Sequence, residues 1–150
     1  MLFRSIISRL HLYKNNKFRF VLNNLVFSSN LTNQTDVIIV AVNGLADAKQ
    51  ALIIKDNKPI LQSTLGVCFL NEILEWNIVK GASKRLQVVF SDSENLNRNS
   101  NHLAFSFITK NIGDLLQFSV TLLDSAGKQI TFPANETKVP IINFTIQILK

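Results

Sequence analysis

The residues that could support catalysis are few and lie far apart in the chain. Glu72 and Glu75 are three positions apart and could share one face of a helix, while Asp92 and Glu94 could point the same way on an extended segment. Two carboxyl groups held close together are what glycoside hydrolysis requires. Acids with this spacing are far more often solvated surface residues. We therefore interpret both pairs as surface residues.

Histidine and cysteine are equally scarce. His11 lies near the N-terminus, and His102 lies at the start of a predicted strand, where we interpret it as a hydrogen-bonded strand residue. The single cysteine, Cys68, stands between Val67 and Phe69, which indicates a small buried apolar side chain. Because there is one cysteine, an internal disulfide and a cysteine-based zinc site are excluded.

The chain contains no motif for a phosphate, dinucleotide or activated-serine site. Its five glycines are isolated from one another, so neither a Gly-rich phosphate loop nor a G-x-S-x-G sequence occurs. The His, Cys and carboxylate residues show no metal-ligand spacing. The sequence therefore predicts a protein that is not an enzyme, with no catalytic residue, metal, cofactor or small-molecule substrate.

The second half of the chain has the alternation that is typical of β-strands. In its last run, residues 139–150, apolar and polar side chains alternate from Asn143 to Ile148, as expected for a strand with one face on a core and one in water. The clearest hairpin joins Leu122 to Phe132 through a short turn. The strands predicted in this half are 102–109, 115–124, 129–132 and 139–150.

The first half contains further strand patterns. The run 17–27 alternates and suggests a bulge or kink at Asn23-Asn24. The run 37–43 is continuously apolar and β-branched, which predicts a central strand buried on both faces. Helix and strand periodicities compete in 67–79, which we assign as strand, with a helical turn inside it as the alternative. The remaining predicted strands are 51–55 and 60–66, which form a hairpin, and 85–91.

These elements define the predicted fold. About eight to ten short strands with turns between them, and no βαβ alternation, favour an all-β, antiparallel β-sandwich that is jelly-roll-like. The length fits a single domain, which we place at residues 17–150. The polar stretch 92–101 is the longest loop of this domain, and long loops at one end of a sandwich often carry binding residues.

The net charge of +6 is concentrated near the N-terminus. All charged residues before Asp36 are basic, whereas the rest of the chain is close to neutral. Residues 1–16 carry apolar side chains at helical spacing, which predicts a short basic amphipathic arm. The candidate partner-binding residues of this basic region are Arg4, Arg9, Lys14, Lys17 and Arg19.

Four interpretations of the arm remain open. It has the features of a mitochondrial presequence, of a membrane-surface helix, of a basic arm that contacts nucleic acid or a neighbouring subunit, and of a first helix packed on its own domain. The domain itself is not predicted to bind nucleic acid, because it is near neutral and its phenylalanines occupy core positions. The phenylalanines in question are Phe105, Phe107, Phe118 and Phe144.

The closing strands carry a resemblance. The runs HLAFSFI, LLQFSVTLLDSAGKQITF and VPIINFTIQIL, together with a basic arm before a β domain, resemble virus capsid and minor capsid proteins with a jelly-roll fold. The likeness covers roughly residues 85–150 and transfers no functional residue. It implies a structural virion component, a homo-oligomer whose domain packs against other protein subunits while the arm reaches a neighbour, a membrane or the genome.

Two alternatives to the capsid hypothesis follow from the same residues. An accessory, non-catalytic subunit of a mitochondrial complex would use the arm for import. A carbohydrate-binding β-sandwich would use the 92–101 loop and Trp76.

Overall fold

The computed structural model describes residues 16–28, 36–69, 77–79, 85–92, 102–110, 118–131 and 140–149. Within these ranges every regular element is a β-strand, and the strands form two sheets that share one core. The predicted all-β sandwich is therefore confirmed. The N-terminal arm and most of the 92–101 loop lie outside the described residues.

Most of the predicted strands are present, with different boundaries. The predicted strand 60–66 and the first part of 67–79 form one continuous strand, the fourth of the chain. The predicted strand 102–109 is instead two short strands, the eighth and ninth. The strands are β1 (Lys17–Ser28), β2 (Val37–Asn43), β3 (Gln50–Lys55), β4 (Lys58–Phe69), β5 (Asn77–Val79), β6 (Arg85–Val89), β7 (Ser91–Asp92), β8 (Leu103–Ala104), β9 (Phe107–Thr109), β10 (Ser119–Leu123) and β11 (Ile141–Leu149).

In both sheets most neighbouring strands are not consecutive in the chain. The first sheet runs β11-β1-β6-β5, with β9 also paired to β1, and the second runs β10-β2-β4-β8-β7, with β3 also paired to β4. All pairs are antiparallel except β7 with β8, which are parallel. The predicted antiparallel sandwich is therefore confirmed, and this pair of two residues in each strand is the one departure among the described strand pairs.

β1 organises the first sheet. Its apolar side chains alternate inward, and the register with β11 shifts between Leu22 and Asn24, so the predicted bulge is confirmed. β11 follows one edge of β1 for nearly its whole length. The other edge is shared by β9 before the bulge and β6 after it. The bulge thus lets one long strand hold three partners.

The main core centres on Phe20 of β1. Its ring stacks on Phe107 and Phe144, at centroid distances of 5.4 and 4.7 Å, and meets Phe118 from the other sheet edge-on at 5.7 Å. Phe20, Phe107 and Phe118 are buried, and Phe144 packs against them. The core positions predicted for these phenylalanines are confirmed, while Phe105 is half-buried.

Two segments cross from one sheet to the other. After β6, the Phe90 amide donates a hydrogen bond of 2.9 Å to the carbonyl oxygen of Asn23, and the chain then enters β7. Between β8 and β9, the Phe105 amide donates one of 2.9 Å to the carbonyl oxygen of Leu65. Each of these hydrogen bonds stays within the sheet that the chain is leaving, so the two sheets are linked here by the covalent chain.

β2 is an interior strand of the second sheet, between β10 and β4, and is buried on both faces, as predicted. One face, with Ile38 and Val40, joins the main core. The other face, with Ile39 and Ala41, joins a second apolar cluster on the outside of the sheet. The β3–β4 hairpin packs over this second cluster and shields it from water.

Candidate interaction surface

The residues considered for catalysis are not brought together in the described structure. Glu72, Glu75, Glu94 and His11 lie outside the described residues, as does Trp76, and Asp92 is described as backbone only. Among the residues that the structure describes, no group of three or more His, Cys, Asp and Glu side chains could hold a metal ion.

His102 lies directly before β8 and is buried. Its carbonyl oxygen accepts hydrogen bonds from the Ser91 amide and the Ser91 hydroxyl, both at 3.0 Å. Its ring meets the ring of Phe90 edge-on at a centroid distance of 6.4 Å. These hydrogen bonds involve the main chain of a residue next to the strand, so the role predicted for the His102 side chain stays a prediction.

Cys68 is fully buried in the main core, as predicted. Burial disfavours the thiolate and raises the pKa of the Cys68 thiol to about 12. A nucleophilic or redox-active cysteine is exposed and has a lowered pKa. The environment of Cys68 is the opposite, so its side chain fills space.

The basic residues predicted to bind a partner are only partly described. Arg4, Arg9 and Lys14 lie outside the described residues. Lys17 is exposed at the start of β1, and Arg19 is half-buried, opposite Gln147 of β11 and Ile108 of β9. Both belong to the row of β1 side chains that points away from the core.

The outward side of β11, β1, β9 and β6 is basic to neutral. We call it the outer β1 face. Two amide hydrogen bonds order it: Asn23 donates to the hydroxyl of Thr145 at 2.7 Å, and Asn143 donates to the side-chain oxygen of Asn24 at 2.6 Å. Its residues are Lys17, Arg19, Val21, Asn23, Asn24, Val26, Val89, Ile108, Ile141, Asn143, Thr145 and Gln147, none of them acidic. The face therefore combines basic and amide side chains with the exposed apolar residues Val89, Ile108 and Ile141.

The predicted β3–β4 hairpin is confirmed, and its turn explains its register. Asp56 and Asn57 join the strands with φ angles of 50° and 59°, a left-handed pair typical of the two-residue turns that match strand twist. Asp and Asn adopt this conformation more readily than other non-glycine residues. The turn fixes Lys55 opposite Lys58 and, along the strands, Leu52 opposite Leu61.

The inner face of the hairpin covers the second apolar cluster. Ile53 is buried there with Ile39, Ala41 and Leu123. The turn after β10 packs against the same residue, because a Cβ added to Gly127 would come within 2.9 Å of Ile53 Cδ1. The hairpin is thus held on the sheet by its inner side chains.

The outer face of the hairpin is apolar and exposed. Leu52 and Leu61 are directly opposite each other and are 68% and 65% exposed, and Ile54, at 53%, lies opposite Pro59. We call Leu52, Ile54, Pro59 and Leu61 the hairpin patch. Single exposed apolar residues are ordinary, whereas a contiguous group with a polar rim is typical of an interaction site. At the tip, Lys55 and Lys58 alternate onto the inner face with Ile53, where Lys55 lies beside Gly127.

Sequence reasoning identified the hairpin but missed the patch. The signal was the unbroken apolar run from Ala51 to Ile54 in a strand that ends at a polar turn. Such a run places apolar side chains on both faces. Only one of those faces can rest on the domain, so the other had to be exposed or bound by a partner.

Comparisons with protein-family models, with curated proteins and with solved structures found no match to this chain. Among the described residues, no helix is long and apolar enough to cross a membrane. The function must therefore be argued from the surfaces described above.

Proposed function

We propose that this protein is a non-catalytic structural subunit that acts by packing against other protein subunits, and that it is a small capsid or minor capsid component of a virion. The observation that carries the proposal is the hairpin patch. Leu52 and Leu61 leave about two-thirds of their surface in water on a rigid two-stranded scaffold. Burying such side chains contributes roughly 1.5–3 kcal/mol each, which is the driving force that subunit association uses.

The strand pairing supports the jelly-roll part of the proposal. β1 pairs with β11, β2 with β10 and β4 with β8, so that the partners are nested along the chain. A long antiparallel ribbon that rolls into two sheets produces this kind of nesting. The fold would then present the patch and the outer β1 face to different neighbours.

The basic N-terminal region extends the proposal. Lys17 and Arg19 stand on the outer β1 face, which carries no acid among its described residues. The arm before them would reach a neighbouring subunit, a membrane or the genome, and its charge suits the last two best.

The test is the mass of the assembled protein. The full chain is measured by native mass spectrometry and sedimentation over a range of concentrations, beside the double variant Leu52→Asp with Leu61→Asp. We expect the wild type to form oligomers and the variant to lose those that are held together through the patch, because two carboxylates in the patch oppose its burial. Both side chains are exposed, but the two carboxylates face each other across the hairpin, so the melting temperature should fall slightly, and the masses are compared well below it.

The matched control carries the same added charge away from the patch. Asn57→Asp with Gln129→Asp changes two exposed residues outside the patch, and Asp at position 57 tolerates the left-handed turn. We expect this variant to assemble like the wild type. A wild type that stays monomeric at every concentration, or a patch variant that assembles normally, would contradict the proposal.

A further inference from the structure

β11 is a long strand at the edge of the first sheet. It has 9 residues, and within the described part of the chain β1 is the only strand paired with it. Natural edge strands are usually short, or are protected by charged residues, proline or bulges. β11 contains no charged residue and no proline. It therefore has the features of a strand that accepts a partner.

The apolar side chains of β11 are only partly covered by the described residues. Its core-facing residues Ile142, Phe144, Ile146 and Ile148 pack against the main core but are only half-buried. The outward residues beside them include Asn143 and Gln147, which are exposed. A further strand at this edge would cover the remaining surface of the apolar row.

The sequence of β11 is a palindrome in chemical character. Residues at equal distances on either side of Thr145 have similar chemical character, either both apolar or both amides. In an antiparallel pair of two copies centred on Thr145, the opposed residues would be Ile141 with Leu149, Ile142 with Ile148, Asn143 with Gln147, Phe144 with Ile146, and Thr145 with Thr145. Apolar residues oppose apolar residues, and amides oppose amides, on the correct faces.

Electrostatics also permits this pairing. A two-fold axis places residues near it against the same residues of the other copy, so any charge there would meet its own sign. The strand from Ile141 to Leu149 has no ionisable side chain. The edge is thus complementary to itself.

We propose that two copies of this chain associate through their β11 strands, which pair antiparallel about a two-fold axis at Thr145 and join their first sheets into one continuous sheet. This inference rests on the assembly role proposed above and names the partner. It also names the register, which the assembly role alone does not.

The size of the contact sets the expected affinity. Nine paired residues extend about 30 Å, and a sheet edge is about 10 Å thick, which gives on the order of 600 Å² of buried surface in total. Stable complexes bury roughly 1,200–2,000 Å². Pairing through β11 alone therefore predicts a weak dimer that requires high concentration or additional subunit contacts.

Cysteine cross-linking tests the register in the full chain. In the proposed dimer, Thr145→Cys places two thiols directly opposite, where Cα separations of about 4.5–5.5 Å suit a disulfide. Under mild oxidation we expect this variant to form covalent dimers at least about tenfold faster than by random collision, because pairing raises the effective thiol concentration. Cys68 is buried and does not compete.

The control lies on the same strand and the same face. Asn143→Cys is equally exposed, but its counterpart in the other copy lies about 13 Å away along the strand, at about 3.3 Å per residue. We expect it to cross-link at the collision rate. Equal rates for the two variants, or no dimer from Thr145→Cys, would overturn the inference.

A charge exchange gives a second, independent measurement. Asn143→Lys with Gln147→Lys opposes like charges at both amide pairs, whereas Asn143→Lys with Gln147→Glu opposes unlike charges. By sedimentation we expect the first variant to weaken dimerisation at least about tenfold and the second to restore it, and equal behaviour would contradict the register.

These results separate the inference from the proposed function. If the patch variant dissociates oligomers while Thr145→Cys gives no specific cross-link, β11 pairing is wrong and the assembly role stands. If the wild type is monomeric at every concentration, both are wrong.

Discussion

The hydroxyl oxygen of Thr64 lies 3.0 Å from the carbonyl oxygen of Val40, its neighbour across the second sheet. The register between β2 and β4 shifts between Val40 and Ala41, so Leu65 is an additional residue in β4. A bulge of this kind leaves main-chain groups without ladder partners. The Thr64 hydroxyl satisfies them, because it also accepts a hydrogen bond of 3.2 Å from the Gly66 amide.

Replacing Thr64 with valine should destabilise the fold. The change keeps the shape of the side chain but leaves buried main-chain groups of Val40 and Gly66 without the hydroxyl. The expected loss is about 1–3 kcal/mol in the free energy of unfolding, measured by urea denaturation.

Ser106→Ala is the matched control for this experiment. Ser106 is also buried, but among the described residues its hydroxyl has no hydrogen-bond partner. Removing that hydroxyl should change stability by less than about 0.5 kcal/mol or increase it. Equal losses for the two variants would show that the bulge does not depend on Thr64.

Gly66 should tolerate no larger side chain. A Cβ at this position would lie 2.8 Å from the carbonyl oxygen of Leu103 and 2.8 Å from Leu22 Cδ2, so the main chain of β8 would have to shift and the Leu22 side chain would have to turn away. Gly66→Ala is expected to cost about 1–3 kcal/mol, as overpacking does. Ser63→Ala on the same strand is the control, with less than about 0.5 kcal/mol expected. A thermally unchanged Gly66→Ala protein would contradict the close approach.

Phe20 should be the most sensitive aromatic position. Its ring contacts Phe107 and Phe144 in its own sheet and Phe118 from the other. Phe20→Ala should therefore cost about 3–5 kcal/mol, which is a large part of the stability of a small domain. Phe69→Ala, at a residue that is 40% exposed, is the control and should cost much less. Similar costs would mean that the ring cluster contributes little.

Several strands of the fold could be predicted from the local pattern of apolar and polar side chains. Alternation in 17–27 and 139–150 was enough to predict β1 and β11, and the unbroken apolar run gave β2 its buried position. These signals are local because side chains alternate every residue along a strand. The split of 102–109 between two sheets could not be predicted, since it depends on strands that are distant in the chain: β8 pairs with β4 and β9 pairs with β1.

The candidate surfaces were harder to predict for the same reason. Within the described part of the chain no strand covers the hairpin patch or pairs with the outer edge of β11, and which surfaces are covered depends on the whole fold. The sequence placed Lys17 and Arg19 in a basic region, but it could not place them beside Gln147 and Ile108.

Cys68 should make the stability fall at alkaline pH. Its thiol is buried, and its pKa is raised from 9.0 to about 12. Above pH 9.0 the unfolded chain loses this proton while the folded chain keeps it, so unfolding is favoured increasingly until the pH reaches about 12. Below pH 9.0 the group contributes no pH dependence.

The expected slope is about 1.4 kcal/mol per pH unit in that window. Urea denaturation near pH 8 and near pH 10, compared with the same pair for Cys68→Ala, isolates the contribution of the thiol. The wild type should lose about 1.4 kcal/mol more than the variant, because other titrating groups are common to both.

In the folded state Cys68 should also react with a thiol reagent no faster than the protein unfolds. Parallel pH profiles of the two proteins, or rapid labelling of the native chain, would show that the thiol is accessible to water.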